Sequence, residues 1–237
     1  PWGLTEQRHS RSGLHRIYYN IQIEDAINAV NDQDIVDNCV DAASIDNQFC
    51  PLISRNPNTG GFTGLQQVLL NFARQETAGV EASLRYSFDL GEHGFTLNAS
   101  GNWVDKLNDF PDPGDLTFID PELGEIQRPE FAARGALTWD WKGVSLTWST
   151  TWFDRMALRA VEIEDVGPDG SATFSPENGL ASDTFIHDIA FGWKANDKFE
   201  VYGGVNNIFD HKPFITEQAY PVSPVGTFFY LGVRANY

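Results

Sequence analysis

Cysteine, methionine and basic residues are all scarce in this 237-residue sequence, which holds two Cys, one Met and 16 Lys+Arg. Against 33 Asp+Glu the formal net charge is −17 and the pI is near 4.5. A chain so acidic offers no net basic face to nucleic acid. No apolar run approaches the roughly 18–20 residues of a transmembrane helix, which excludes a helical membrane protein. A membrane β-barrel stays open, because it carries its lipid-facing residues in alternation and its mean hydropathy, −0.32 here, looks soluble. Pro1–Gly13 contains no apolar segment of the signal-peptide kind, so an exported chain would be either mature or a fragment. Catalytic motifs are missing too. The five histidines (His9, His15, His93, His187, His211) are scattered without metal-ligand spacing. There is no G-x-S-x-G and no P-loop, and Gly203-Gly204 lies in strand-like sequence. The expectation is a protein that is not an enzyme, with no catalytic residue, cofactor or metal centre.

Cys39 and Cys50 stand 11 positions apart in a polar stretch with no neighbouring His and no C-x-x-C, a poor zinc or redox motif. A disulfide closing a surface loop is a better reading than two unpaired thiols, and it implies an oxidising compartment. In the chain-entropy model so short a loop gains about 3 kcal/mol at most.

What the sequence does have is period two. Phe95, Leu97, Ala99, Gly101 and Trp103 interleave with Thr96, Asn98, Ser100 and Asn102. Phe131, Ala133, Gly135, Leu137, Trp139 and Trp141 interleave with Arg134, Thr138 and Asp140, and Val144, Leu146, Trp148 and Trp152 with Ser145, Thr147, Ser149 and Thr151. Such alternation marks strands with one apolar and one polar face. Eight strands are expected, near 14–25, 66–88, 95–106, 130–141, 144–156, 184–195, 198–209 and 226–237, with Gly79 a possible interruption of the second. Residues 1–13 read as an irregular lead-in. Trp141–Val144, Ala195–Lys198 and Leu90–Gly94 read as short turns. Long segments near 26–64, 107–129, 157–183 and 210–225 alternate strictly with them. Four connections beyond about 12–15 residues, all on one end of an up-and-down meander, are uncommon in a compact domain and fit an outer-membrane barrel.

The aromatics favour the same reading over a soluble β-sandwich. Phe88, Phe95, Trp139, Trp141, Phe191, Trp193 and Phe199 sit beside the short turns, and Tyr19, Trp103, Trp148 and Trp152 lie further along their strands. Rings in two belts suit the two membrane interfaces. His187, flanked by Phe185 and Ile189, reads as a strand-end residue on the apolar phase. Glu24, Glu81, Arg85, Arg134, Asp140, Glu200 and Arg234 fall on the polar phase, where a wet lumen tolerates charge; at mid-membrane on the lipid face each would cost about 2–4 kcal/mol. Asp109, Asp112, Asp115, Asp120 and Glu122 cluster in one loop and Glu162, Glu164, Asp165 and Asp169 in the next. Their spacing matches no EF-hand, and solvated acidic loops are the simpler reading.

Several segments resemble TonB-dependent outer-membrane receptors. Tyr18-Tyr19-Asn20-Ile21-Gln22-Ile23-Glu24-Asp25-Ala26-Ile27 is similar to a barrel strand of that family, and so is Leu70–Ala82 with its Thr77-x-Gly79-Val80-Glu81 core. Tyr202-Gly203-Gly204-Val205-Asn206-Asn207-Ile208-Phe209-Asp210 resembles the penultimate strand, and Gly226–Tyr237 the closing one. The Cys39…Cys50 loop is similar to a small disulfide loop of many members. The resemblance implies a bacterial outer-membrane protein whose alternating Phe229, Leu231, Val233, Ala235 and terminal Tyr237 form the signal read by the barrel-assembly machinery. It implies contact with outer-membrane lipid and lipopolysaccharide, and active uptake of a siderophore, cobalamin or oligosaccharide powered through TonB acting on a plug. The polar-phase charges would hold that plug or line the ligand path, and Phe110, Phe118, Phe174 and Tyr220 could stack on a ligand. Family barrels have 22 strands, whereas this sequence has room for eight and shows neither plug nor TonB-engaging segment. A barrel third has open edges that cannot face lipid. The chain is therefore expected to be the C-terminal part of a longer receptor. Two other expectations stand beside it: a self-contained eight-stranded barrel of structural or adhesive role, closed by pairing the first strand with the last, and a soluble carbohydrate-binding sandwich.

Overall fold

The computed structural model describes residues 11–112, 115, 117–157, 180–214 and 220–235. Eight long strands run in chain order: β1 (Arg11–Ala29), β4 (Leu69–Leu90), β5 (His93–Phe110), β7 (Phe131–Trp141), β8 (Val144–Phe153), β11 (Thr184–Lys194), β12 (Phe199–Asn206) and β13 (Phe228–Ala235). The connections hold short pieces: α1 (Asp32–Asp41), β2 (Ile53–Arg55), β3 (Phe62–Leu65), β6 (Asp120–Pro121), β9 (Met156–Ala157) and β10 (Leu180–Ala181). The long strands form one sheet in the order β1-β4-β5-β7-β8-β11-β12-β13, with β6 pairing β5. Every long strand pairs with its sequence neighbours, so the meander is as expected. The sheet is open, with β1 and β13 as its two ends, and the eight-stranded closure expected of a self-contained barrel does not form among the described residues.

The short turns follow their residues. Lys142 and Gly143 both take positive φ, at 45° and 83°, as a two-residue turn matched to strand twist requires. The β4–β5 connection is Gly91-Glu92 alone. Between β11 and β12, Asn196 Oδ1 accepts from the backbone N–H groups of Lys198 and Phe199 at 2.9 and 3.0 Å. Strand limits differ from the expected ones by a few residues. β1 extends four residues past Asp25 and also takes in Arg11 to Gly13; the rest of the expected lead-in lies outside the described residues. Gly79 does not interrupt β4.

By contacts the chain divides into two compact units, one comprising Pro1–Tyr19, Gly79–Asp105 and Leu123–Tyr237, the other Asn20–Ala78 and Lys106–Glu122. The second unit contains a small hydrophobic core of Val30, Ile35 and Phe49, joined by Cys39, Leu52, Ile53, Leu65 and Leu70. Burying each of these three side chains is worth about 1.5–3 kcal/mol. The segment expected to be one polar loop over 26–64 is thus structured. Asn31 caps α1 by accepting from Gln33 N–H at 3.1 Å, and Asp32 and Asp34 in the first turn suit the helix dipole. Asn56 Oδ1 accepts from Asn58 N–H at 2.8 Å to shape the β2–β3 hairpin turn. The first unit has a different logic, since its large apolar side chains are left in the open: Leu137 is 47% exposed, Trp193 49% and Leu231 74%. No second sheet covers them among the described residues, which argues against the sandwich.

Candidate functional site

Strand register sorts the first unit into rows. One row reads Phe95–Trp139–Leu146–Phe191–Gly203–Leu231 and the next Leu97–Leu137–Trp148–Ile189–Val205–Phe229. The rows that alternate with them read Gly94–Asp140–Ser145–Gly192–Tyr202–Gly232 and Thr96–Thr138–Thr147–Ala190–Gly204–Tyr230. Opposite residues share a face, so from β5 to β13 the sheet has one apolar and one polar face.

On the apolar face the rings fall into two groups. Trp103, Phe131, Trp152 and Phe185 stack in succession across four strands, with centroids 6.2, 6.3 and 6.2 Å apart. Beside the short turns, Phe88 stacks on Phe95 at 5.1 Å and His93 lies between Trp139 and Trp141 at 5.8 and 5.7 Å. Trp139 Nε1 donates to His93 Nδ1 at 3.1 Å. Eight residues separate Phe131 from Trp139 within β7; at ~3.4 Å per residue and a strand tilt of 35–45° that is about 20 Å of height, close to the apolar band of a membrane barrel. His187 lies on this face, bonded to Thr150 at 2.8 Å and packed against Trp148 and Phe209. Tyr19, expected in an aromatic belt, turns instead to the polar face, where its hydroxyl donates to Asn102 at 3.3 Å.

The polar face carries most of the charges singled out from the sequence. Arg134 and Asp140 occupy polar rows of β7, between Ser100 and Thr151 and between Gly94 and Ser145 respectively. Arg85 donates to Asn98 at 3.2 Å. Glu81, Arg134, His15, Asn102 and Thr151 border a concavity of about 410 Å³. Glu200 lies opposite both Lys194 and Arg234 and is ion-paired to Arg234 at 2.9 Å. Between the two charged groups runs a neutral hydroxyl row, Ser87 bonded to Thr96 at 3.1 Å and Thr138 to Thr147 at 2.8 Å. Glu24 belongs to the other unit, where it accepts from Gln22 at 2.9 Å. The seven residues are therefore not one constellation.

In the connections, Cys39 and Cys50 form a disulfide. Asp34 of α1 is pushed above the ordinary carboxylate range by burial and by the neighbouring Asp112 and Asp37, and Asn38 donates to Asp112 at 3.2 Å. Asp115 is held low by hydrogen bonds from Thr117, and Asp210 by its bond to Lys212. Burial raises Tyr220, whose ring meets Phe153 at 5.8 Å. Among the described residues no three His, Cys, Asp or Glu are grouped to hold a metal. Glu162, Glu164, Asp165, Asp169 and Phe174 lie outside the described residues, as does Tyr237. Phe229, Leu231, Val233 and Ala235 line the apolar side of β13, opposite Val205, Gly203, Val201 and Phe199. The helix α1 and the polar knot around Asn207 escaped the sequence reading, although Asn31-Asp32 before an Ile-Val pair was a capping signal in view.

A family model described as TonB dependent receptor-like, beta-barrel, matches residues 17–208. The chain belongs to this family. The comparison with curated protein sequences gives no significant match. Among solved structures the TonB-dependent receptor chain is similar to the siderophore receptor PirA from Acinetobacter baumannii, at 17% identity, over 95% of this chain and 30% of that one, with a TM-score of 0.53. It is similar to a mutant ferric enterobactin receptor, PfeA, from Pseudomonas aeruginosa in complex with enterobactin, at 13% identity, 94% and 29% coverage and a TM-score of 0.56. The FrpB iron transporter from Neisseria meningitidis gives 14% identity, 94% and 29% coverage and 0.51. At these identities the likeness is one of fold, and the chain spans about three tenths of the length of these structures. TonB-dependent receptor barrels are outer-membrane receptors and transporters, not a family of enzymes, and no helix among the described residues is long and apolar enough to cross a membrane.

Proposed function

We propose that this TonB-dependent receptor chain forms the C-terminal strands of an outer-membrane barrel that imports a small-molecule ligand. The uncovered apolar face, running between two aromatic rows, carries the reading, because only lipid satisfies such a surface on a sheet this wide. β1 and β13 pair with further strands of a larger barrel, since unpaired edges do not persist in hydrocarbon. The polar face, with Glu81, Arg85, Arg134, Asp140, Glu200 and Arg234, lines the lumen and its plug or ligand path, and Glu24 serves the same wall. The long connections face the cell exterior and the short turns the periplasm. Phe229, Leu231, Val233, Ala235 and Tyr237 serve as the barrel-assembly signal, and lipopolysaccharide and phospholipid contact the two aromatic rows.

A ferric siderophore is the ligand class favoured, because siderophore and iron receptors recur among the structures of similar fold; cobalamin and oligosaccharide are the competing classes. Uptake of radiolabelled iron chelates, cobalamin and maltodextrin by cells carrying the receptor, with and without TonB, tests the reading. TonB-dependent uptake of an iron chelate supports it. Uptake of another class corrects the ligand alone, and recovery of the protein away from the outer membrane overturns the whole.

A further inference from the structure

The last hairpin poses a physical problem that its sequence pattern does not solve. β13 alternates Phe229, Leu231, Val233 and Ala235 on the apolar face. A slip of two residues against β12 would leave every side chain on its own face, since only odd slips exchange faces. In one direction Val201, Gly203 and Val205 would meet Ala235, Val233 and Leu231, an apolar face almost indistinguishable from the native one. Short turns fix register in most hairpins, but here the connection runs from Asn207 to Thr227. Something else must distinguish the native pairing from its two-residue neighbours.

We infer that the polar face supplies this distinction, through two reciprocal tyrosine–glycine pairs and a clasp centred on Asn207 that together lock the register of β13. Tyr202 stands opposite Gly232 and Gly204 opposite Tyr230, so large and small alternate on both strands. The three atoms nearest to a Cβ on Gly232 would all belong to Tyr202, with Oη at 2.6 Å and Cε1 at 2.9 Å. A Cβ on Gly204 would stand 2.7 Å from Tyr230 Cζ. A slip one way sets Tyr202 against Tyr230. A slip the other way sets Gly204 against Gly232 and leaves both rings without their glycine. Either slip separates Glu200 from Arg234, paired natively at 2.9 Å.

The clasp ties the ends of the connection to the same register. Asn207 N–H donates to Asp188 Oδ1 of β11 at 2.8 Å, and its carbonyl accepts from Thr227 Oγ1 at 2.8 Å. Its side chain both donates to and accepts from the His211 backbone at 2.8 Å. Thr227 N–H reaches Asp210 Oδ1 at 3.2 Å. Asn207 is 7% exposed, so its own backbone and amide groups would be stranded without these partners. Strand stagger at a free edge dictates how the next strand can join, which makes the lock a determinant of barrel closure whatever the ligand.

Cysteine pairs read the register directly in the full chain folded in detergent. Val205→Cys/Phe229→Cys reports the native pairing, and Val205→Cys/Leu231→Cys and Val201→Cys/Leu231→Cys the two slips. In an otherwise native chain, oxidation should crosslink the first pair at least tenfold more than the others. With Tyr202→Ala, Tyr230→Ala and Asn207→Ala added, that ratio should fall several-fold as slipped pairs form. An unchanged ratio overturns the inference. Gly232→Tyr alone should abolish the native crosslink, and Tyr202→Gly added to it should restore the crosslink by reversing the large–small order. Failure of that rescue, with folding shown by a heat-sensitive shift in migration of the unheated sample, also overturns it.

Discussion

Tyr19 of β1 lies over Gly79 of β4, so that a Cβ at residue 79 would stand 2.8 Å from the ring carbon Cζ. The tyrosine hydroxyl continues beyond the glycine to Asn102 of β5, so one side chain spans three strands. A glycine inside a strand weakens it in isolation, and here it is the space it leaves that fastens β1 to the sheet.

Gly79→Ala should therefore destabilise the chain by about 1–3 kcal/mol, the usual cost of overpacking a filled site. Adding Tyr19→Ala should not recover the loss, because the carbonyl oxygen of Trp103 also occupies the space a Cβ would take. Urea midpoints of the three proteins in detergent check this. A Gly79→Ala midpoint equal to that of the native chain would refute the packing argument.

Leu137 and Thr138 are neighbours in β7 and lie in rows of opposite character. Leu137→Arg should lower insertion into lipid vesicles by the equivalent of up to about 2–4 kcal/mol, while Thr138→Arg should change it by less than about 1 kcal/mol. Folded yield in vesicles against urea measures both. Equal losses would mean that the apolar face does not meet lipid.

These faces are readable from the residues because β5, β7, β8 and β11 alternate over most of their length, and because Lys142-Gly143 and Gly91-Glu92 can hardly be anything other than turns. The sequence does not show which face Tyr19 takes, because β1 does not alternate cleanly: Ile17, Ile21 and Ile23 share its phase, while Tyr18 and Leu14 occupy the other. Gly79 looks like a break in the sequence alone because the side chain it makes room for, Tyr19, sits on another strand. Arg85, Arg134 and Glu200 were identifiable one by one as polar-face charges. Their partners were not, since Asn98 and Arg234 come opposite them only through a register that depends on the whole ladder. Polar composition concealed α1, whose stability comes from Val30, Phe49 and the disulfide more than from its own sequence.

The disulfide is confined to the second unit, so its removal should be felt there. Cys39→Ser/Cys50→Ser should cost the local fold about 3 kcal/mol at most by the chain-entropy estimate for so short a loop. Amide exchange across residues 30–52 should quicken by up to about 100-fold. Exchange in β7 and β8 should stay as it was. Faster exchange in those strands as well would show that the bridge stabilises more than its own loop.

Asp34 gives that same unit a pH dependence of unusual sign. Its folded-state pKa is raised by burial and by the nearby Asp112 and Asp37, so the folded unit holds the proton more tightly than the unfolded chain. The contribution is then fully present below the ordinary carboxylate pKa, and is lost as pH rises through the raised value. Asp210, held low by Lys212, works the other way: its contribution is present above the ordinary value and is lost as pH falls through the lowered one. Amide exchange of α1, corrected for the intrinsic pH dependence of exchange, should show greater protection near pH 4 than near pH 7. Asp34→Asn should flatten that difference and protect α1 more than the native residue at pH 7. Should Asp34→Asn leave the profile of α1 unchanged, the burial of Asp34 and its repulsion by Asp112 and Asp37 would not be what sets it.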